Sequence, residues 1–151
     1  MTTAFQESSN LMTADMKIRQ GTAAWFEMVG TLMSEAALRS ELPTRLNLSL
    51  VELYTDGVEL SDGLVQGLRF DILSGTPSFR VGARHGERAD VTIELTAAAA
   101  WELNSLYGAD PDYHAALDKF LRTGEMRVDG DPSQIGDWLK AVHDPIVART
   151  I

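Results

Sequence analysis

Histidine is the residue type in this chain best suited to acid–base chemistry, because its ordinary pKa of about 6.5 lies near neutral pH. His85 stands in a predicted turn, and His114 lies one helical turn before Asp118, a spacing typical of a surface pair. His143 precedes Asp144 near the end of a predicted helix, where the helix dipole favours a cation. Each position suits a solvated side chain, so the sequence leaves the catalytic residue unassigned.

Metal and nucleotide sites have spacing requirements that this sequence does not meet. No His-x-x-x-His pair or similar ligand cluster is present, and there is no cysteine. The glycines within residues 82–86 and 124–127 lack the pattern of a phosphate-binding loop. The sequence therefore predicts no metal site, and nothing in it indicates a cofactor.

Large aromatic and methionine side chains form a second set of candidates, because they fall on the core-facing stripes of predicted helices and strands. In most proteins such residues fill a close-packed core, but they also line cavities for hydrophobic molecules, and methionine adapts to irregular partners. Both interpretations stay open for each residue. The candidates for a ligand cavity are Trp25, Met33, Phe70, Phe79, Trp101, Phe120, Met126 and Trp138.

Five segments alternate between apolar and polar residues with the period of two that predicts a half-buried strand: 46–50, 68–72, 79–84, 91–95 and 125–129. Charged residues on the polar side of these strands could pair across the sheet, which is ordinary sheet stabilisation. They are Asp71, Glu94 and Asp129 with Arg69, Arg80 and Arg127.

Helices with clear start and stop signals surround these strands, at about 22–42, 97–107, 111–123 and 132–144. We expect Thr96, Asp110 and Asp131 to cap the last three, and Pro145 to end the last. One apolar sheet face needs a cover, so the predicted class is two-layer α+β, a five-stranded, mostly antiparallel sheet with one face covered by helices. Residues 1–20 are predicted to form a polar tail or a loosely docked helix, and residues 21–151 a single domain.

Length and charge narrow the classes of partner. The chain has 151 residues, 44% hydrophobic and 23% charged, with a formal net charge of -9. That acidic balance disfavours nucleic acid and anionic membrane surfaces. No apolar stretch approaches the roughly 20 residues of a membrane-spanning helix, and no secretory signal is recognisable. We expect no stable membrane insertion and a cytoplasmic location.

Three segments in the second half carry a family resemblance. Residues 89–95 read Ala-Asp-Val-Thr-Ile-Glu-Leu before a threonine cap, residues 111–120 form a proline-led helix, and residues 124–131 read Gly-Glu-Met-Arg-Val-Asp-Gly-Asp. In these segments the chain is similar to the sterol-carrier-protein-type-2 (SCP2-like) family. The resemblance implies a five-stranded sheet covered by helices, an apolar tunnel between the layers for sterols, acyl groups or other hydrophobic molecules, and no cofactor.

The function predicted from these observations is binding of a lipid or other hydrophobic small molecule, for transfer or presentation without covalent chemistry. One alternative is a small isomerase, lyase or hydrolase that uses the same cavity with a histidine or buried carboxylate as general base. A second alternative is an accessory protein whose groove receives a partner helix. The oligomeric state, including a homodimer, is left open.

Overall fold

The first described residues form backbone hydrogen bonds with the last residues of the chain. The computed structural model of the protein describes residues 16–151, so most of the predicted polar tail lies outside the described residues. Ile18 pairs with Thr150 in an isolated parallel bridge. The backbone N–H of Ile18 donates to the carbonyl of Arg149 at 2.8 Å, and the N–H of Ile151 donates to the carbonyl of Ile18 at 3.0 Å. The division at residue 20 stays a prediction.

Strands and helices follow the order expected from the sequence. The strands are β1 Leu48–Tyr54, β2 Glu59–Ser61, β3 Leu64–Leu73, β4 Thr76–Ala83, β5 Val91–Leu95 and β6 Met126–Asp129. The helices are α1 Ala23–Arg39, α2 Ala97–Leu103, α3 Pro111–Thr123, α4 Trp138–Ala141 and α5 His143–Ala148, with a 3-10 turn at Pro132–Gln134.

The strands form one mixed sheet in the order β2-β3-β1-β5-β6, with β4 also paired to β3. Only β1 and β5 run parallel among these pairs, and the others are antiparallel. The predicted α+β class is confirmed. The structure adds β2, whose three residues are too short to show an alternating pattern.

The predicted sheet register is also confirmed for most of the alternating apolar residues, which share one face and pack beneath the helices. Leu68, Phe70 and Ile72 of β3 are fully buried there, as are Val91 and Leu95 of β5. Ala83 is the exception, because the pairing of β3 with β4 shifts between Val65 and Leu68 and Ala83 lies in a separate cluster. The helix α1 approaches β4 closely, since a Cβ on Gly30 would overlap the ring of Phe79. The core therefore lies between the sheet and the helices.

The opposite face of the sheet carries ion pairs, but most of them use partners outside the predicted set: Arg69 and Asp71 pair within one strand, and the other pairs involve Glu87 or Arg88. Arg69 contacts Asp71 at 3.2 Å and Glu87 at 2.9 Å, and Arg80 also pairs with Glu87. The positive partner of Glu94 and Asp129 is Arg88, at 3.0 and 3.1 Å, and no ion pair joins Arg127 to the described carboxylates. A second small cluster of Val51, Leu53 and Ala83 lies apart from the main core.

Two helix starts agree with the predicted caps Thr96 and Asp110, and Thr22, predicted as the first residue of its helix, is the cap. Thr22, Thr96 and Asp110 each accept a hydrogen bond from a backbone N–H in the first turn of α1, α2 and α3. Gly124 ends α3 in the left-handed conformation at φ 81°.

The last predicted helix is wrong as a single element. Asp131 does cap its start, accepting from Ser133, but only a 3-10 turn follows. Gly136 then adopts φ 121°, which is outside helical geometry, and separates this turn from α4 and α5. Pro145 lies in the first turn of α5 instead of ending a helix, because the first turn does not need its missing N–H.

Candidate functional site

A cavity of about 670 Å³ lies between the helix-covered face of the sheet and the helices. Its floor comes from three strands: Leu50 and Glu52 of β1, Ile93 and Leu95 of β5, and Met126 of β6. These residues reach one face because side chains alternate along each strand and β1, β5 and β6 are neighbours in the sheet. The floor is apolar except at Glu52.

The helices supply walls that are mostly aliphatic. The apolar wall residues are Val29 and Met33 of α1, Ala100 and Leu103 of α2, Leu117 of α3, Leu139 of α4, Val142, and Ile146 of α5. Exposed lining residues mark the side on which the cavity reaches solvent, and they are His114, Lys140, Ala141 and Asp144. The cavity is thus an apolar space with a polar mouth.

Glu52 is the charged residue of the cavity floor. The period of two in β1 places its side chain on the same face as Leu50, and its cross-strand neighbours are Leu68 and Ile93. Among the described residues, no group donates a hydrogen bond to the carboxylate and no cation pairs with it. Glu52 keeps some accessible surface because it lines the cavity, yet protein surrounds it. Desolvation by this burial raises the pKa of Glu52 from 4.5 to about 7.

The rings of Tyr113 and His143 lie side by side in the helical wall of the cavity. The ring centroids of Tyr113 and His143 are 4.4 Å apart, with 38° between their planes. His143 contacts the carbonyl oxygen of Leu106 through Nε2 at 2.8 Å, and since a carbonyl only accepts, Nε2 carries the hydrogen. Burial raises the pKa of Tyr113, and the negative charges of Glu52 and Asp144 raise it further.

The loop between α2 and α3 is held against α5 at the mouth. Besides the Leu106 contact, a carboxylate oxygen of Asp144 accepts a hydrogen bond from the N–H of Gly108 at 2.8 Å. Both residues line the cavity. This loop and the start of α5 therefore form one edge of the opening.

Comparison with known proteins identifies the architecture. No family model and no curated protein sequence matches the chain. A crystal structure of sterol carrier protein 2 aligns with 87% of this chain and 98% of its own length, at 16% identity and a TM-score of 0.50. The chain has the SCP2-like fold.

Two further structures align less well. The sterol carrier protein domain 2 of Helicoverpa armigera covers 89% of this chain and 95% of its own, at 14% identity and a TM-score of 0.45. A stereoselective inverting sec-alkylsulfatase from Pseudomonas sp. aligns with 72% of this chain at 19% identity and a TM-score of 0.37. The chain matches only 13% of that enzyme's length.

The structure brings two of the eight candidate residues to the cavity of this SCP2-like fold. Met33 and Met126 line it. Trp25, Phe70, Phe120 and Trp138 lie in the adjacent buried core, Phe79 packs against α1, and Trp101 is 59% exposed.

Sequence reasoning missed Glu52, although a signal was present. Because β1 extends to Tyr54, the alternation of side-chain direction places Glu52 on the same face as Leu48 and Leu50, although apolar Val51 and Leu53 interrupt the apolar–polar pattern of the sequence. Following that period two more positions places a carboxylate on the apolar face. Buried ionisable groups of this kind cluster at functional sites.

Residues 16–151 contain neither a metal-binding cluster nor a membrane-spanning helix. No three acidic or histidine side chains in that range are placed to hold a metal ion. No helix there has both the length and the apolar character needed to cross a membrane.

A second hollow lies on the other side of α1. It is lined by residues of α1 and α5, among them Met28, Leu32 and Pro145, together with Ile18. Glu27 and Glu35 stand at its surface. It has no floor from the sheet, so it is a surface groove between two helices.

Proposed function

We propose that this protein binds a lipid or another hydrophobic small molecule in the cavity between sheet and helices, for transfer or presentation. The observation that carries the proposal is the cavity itself, about 670 Å³ in volume and lined mainly by aliphatic side chains. That volume lies within the roughly 300–1,000 Å³ common for small-molecule sites.

The lining gives such a ligand its driving force. Each Å² of apolar surface removed from water stabilises the complex by about 25 cal/mol, so an acyl chain along Val29, Leu50 and Leu95 gains enough to exceed the cost of association. Met33 and Met126 can adjust to chains of different shape because their side chains are flexible. The site therefore suits a family of hydrophobic molecules.

Filling the cavity tests the proposal. Ala100 is fully buried and lines the cavity, whereas Ala98 on the same helix is exposed and does not. We expect Ala100→Trp to weaken binding of an environment-sensitive fatty-acyl probe at least tenfold, and Ala98→Trp to leave it unchanged. Equal affinities in all three proteins, or no saturable binding by the wild type, would reject the proposal.

Two further variants distinguish a loss of ligand affinity from a loss of folding stability. Leu117→Trp adds bulk at a half-buried lining position, so it should reduce affinity while keeping a cooperative melt. Ala116 is buried but does not line the cavity. Ala116→Trp should therefore overpack the core and lower stability by roughly 1–3 kcal/mol.

The position of Glu52 in the cavity supports a second candidate function, that of an enzyme acting on a hydrophobic substrate. A general base works best when its pKa lies near the working pH, and the pKa of Glu52 is raised to about 7. Such a base would remove a proton from carbon next to a carbonyl and return one. In deuterated water, a long-chain methyl ketone should then gain deuterium with the wild type and not with Glu52→Gln. Equal exchange with both proteins would exclude this role.

A further inference from the structure

We propose that Glu52 recognises the head group of the ligand, and that the cavity prefers hydrophobic molecules ending in a hydrogen-bond donor, above all a protonated amine, over those ending in a carboxylate. This inference rests on the proposed binding function and assigns the polar end of the ligand.

The placement of Glu52 is the first step. Its carboxylate rises from the middle of the sheet into the cavity, between Leu68 and Ile93 on the two neighbouring strands. An ionised carboxylate is an acceptor only, and leaving it desolvated without a donor is unfavourable. Residues 16–151 provide no donor for it. A ligand that brings a donor completes the site.

The charge around the cavity decides which head group fits best. The other titratable groups that line it are Tyr113 and His114 of α3, Lys140 of α4, and His143 and Asp144 of α5. Tyr54, the next residue of β1 on the same face, is buried and hydrogen-bonded to Gln20. Lys140 is exposed at the mouth, so the described lining places no lysine or arginine side chain in the interior.

Head groups then rank by their interaction with Glu52. A protonated amine forms a charge-assisted hydrogen bond, which is about twice as strong as a neutral one. A hydroxyl group donates a neutral hydrogen bond. A ligand carboxylate would bring two like charges together unless one of them takes up a proton. The formal net charge of -9 acts in the same direction at longer range.

The experiment compares three ligands of one chain length, dodecylamine, dodecanol and dodecanoic acid. Each displaces a neutral environment-sensitive probe at pH 8, below the concentration at which it aggregates. In the wild type we expect the amine to bind at least about tenfold more tightly than the acid, with the alcohol between them.

Two variants with the same net charge test whether Glu52 is the source of the preference for the amine. Glu52→Gln should reduce the amine-to-acid ratio to less than threefold. Glu27→Gln makes the same change at an exposed position outside the cavity and should keep the wild-type ratio. Because both variants have the same net charge, a difference between them reports the position of Glu52 and not the long-range electrostatic field of the protein.

A measurement on the wild type covers the case in which Glu52→Gln does not fold. This measurement is made at pH 7, close to the pKa of Glu52, where the carboxyl is partly protonated. With the glutamate side-chain carboxyls labelled with ¹³C, dodecylamine should shift the Glu52 resonance toward the ionised form, and dodecanoic acid should not.

The outcomes separate the two proposals. Equal binding of the three ligands, unchanged by Glu52→Gln, would overturn the inference while leaving the binding function in place. Tightest binding of dodecanoic acid, lost in Lys140→Gln, would overturn it by placing the head group at the mouth. No binding of any ligand would instead reject the proposed function.

Discussion

Glu52 of β1 stands opposite Ile93 of β5 in the parallel pair of the sheet, and both residues form the floor of the cavity. A carboxylate beside an aliphatic side chain at this depth is an unfavourable arrangement for a fold that needs only a stable core. This arrangement gives the stability of the protein a pH dependence whose sign is opposite to that produced by a hydrogen-bonded carboxylate such as Glu87.

The first prediction concerns Glu52→Gln. The pKa of Glu52 is about 7 in the folded protein and 4.5 as its ordinary value, so the folded chain holds more protons between these values. The stability that this group contributes is therefore complete below pH 4.5 and is lost as the pH rises to about 7. At pH 8 the variant should be more stable than the wild type by roughly 1–3 kcal/mol, in denaturant melts of the ligand-free proteins.

Acidification supplies the control for this prediction. The difference between wild type and variant should vanish below pH 4.5, where Glu52 is protonated in both the folded and unfolded states. Glu27→Gln, at an exposed position, should show no such trend. A Glu52→Gln protein that is less stable than wild type at pH 8 would show that Glu52 has a stabilising partner.

The second prediction concerns Glu87, which joins Arg69 and Arg80 on the outer face of the sheet. Desolvation acts to raise its pKa, but hydrogen bonds from the N–H of Arg84 and from both arginine side chains outweigh it and lower the pKa. The stability from this group is present above the ordinary value of 4.5 and is lost as the pH falls through the lowered folded value.

Glu87→Gln should therefore destabilise the protein by about 1–3 kcal/mol at neutral pH and by progressively less on acidification below pH 4.5. Asp129→Asn removes a carboxylate whose side chain is 71% exposed, so it should change stability by less than about 0.5 kcal/mol. Equal effects of the two substitutions in thermal melts would contradict this assignment.

The third prediction concerns the close approach of α1 to β4. Gly30→Ala gains about 1 kcal/mol of helix propensity, but the new methyl group overlaps the ring of Phe79. Overpacking typically costs about 1–3 kcal/mol, so we expect net destabilisation. Thr31→Ala, at the adjacent exposed position, should be neutral or slightly stabilising. Denaturant melts that rank Gly30→Ala above the wild type would refute this packing.

The fourth prediction uses a matched pair of tryptophans. Trp138 is buried, packs with its ring centroid 5.6 Å from that of Phe70, and donates from Nε1 to the carbonyl of Ile135 at 2.9 Å. Trp138→Ala should cost about 3–5 kcal/mol. Trp101→Ala, at an exposed position, should change the free energy of unfolding by less than about 0.5 kcal/mol. Urea titrations of both variants check this, and a loss for Trp138→Ala as small as that expected for Trp101→Ala would contradict the role of Trp138 in the core.

Much of this fold could be predicted because its signals are local. The strict alternation of apolar residues fixed the register of the sheet, since a slip of one residue would bury Arg69 in place of Leu68. Capping residues located the helix starts for the same reason. The broken C-terminal segment could not be predicted as well, because Pro145 both stops and begins helices and because a glycine such as Gly136 enters helical and positive-φ conformations with nearly equal ease.

The candidate site was less predictable than the fold, for a different physical reason. An apolar side chain has the same sequence pattern whether it fills the core or lines a cavity. Phe70 and Met126 both lie on the inner face of the sheet, but only Met126 reaches the cavity. That distinction depends on where the helices leave space, which is a tertiary property.

Methionine methyl labelling gives the most direct test of binding in this cavity. Met33 and Met126 line it, whereas Met28 lines the surface groove and Met16 is exposed. Addition of dodecanol to protein with ¹³C-labelled methionine methyl groups should shift the Met33 and Met126 signals saturably and leave those of Met28 and Met16 in place. Saturable shifts at Met28 alone, or no shift at Met33 and Met126, would contradict the cavity as the binding site.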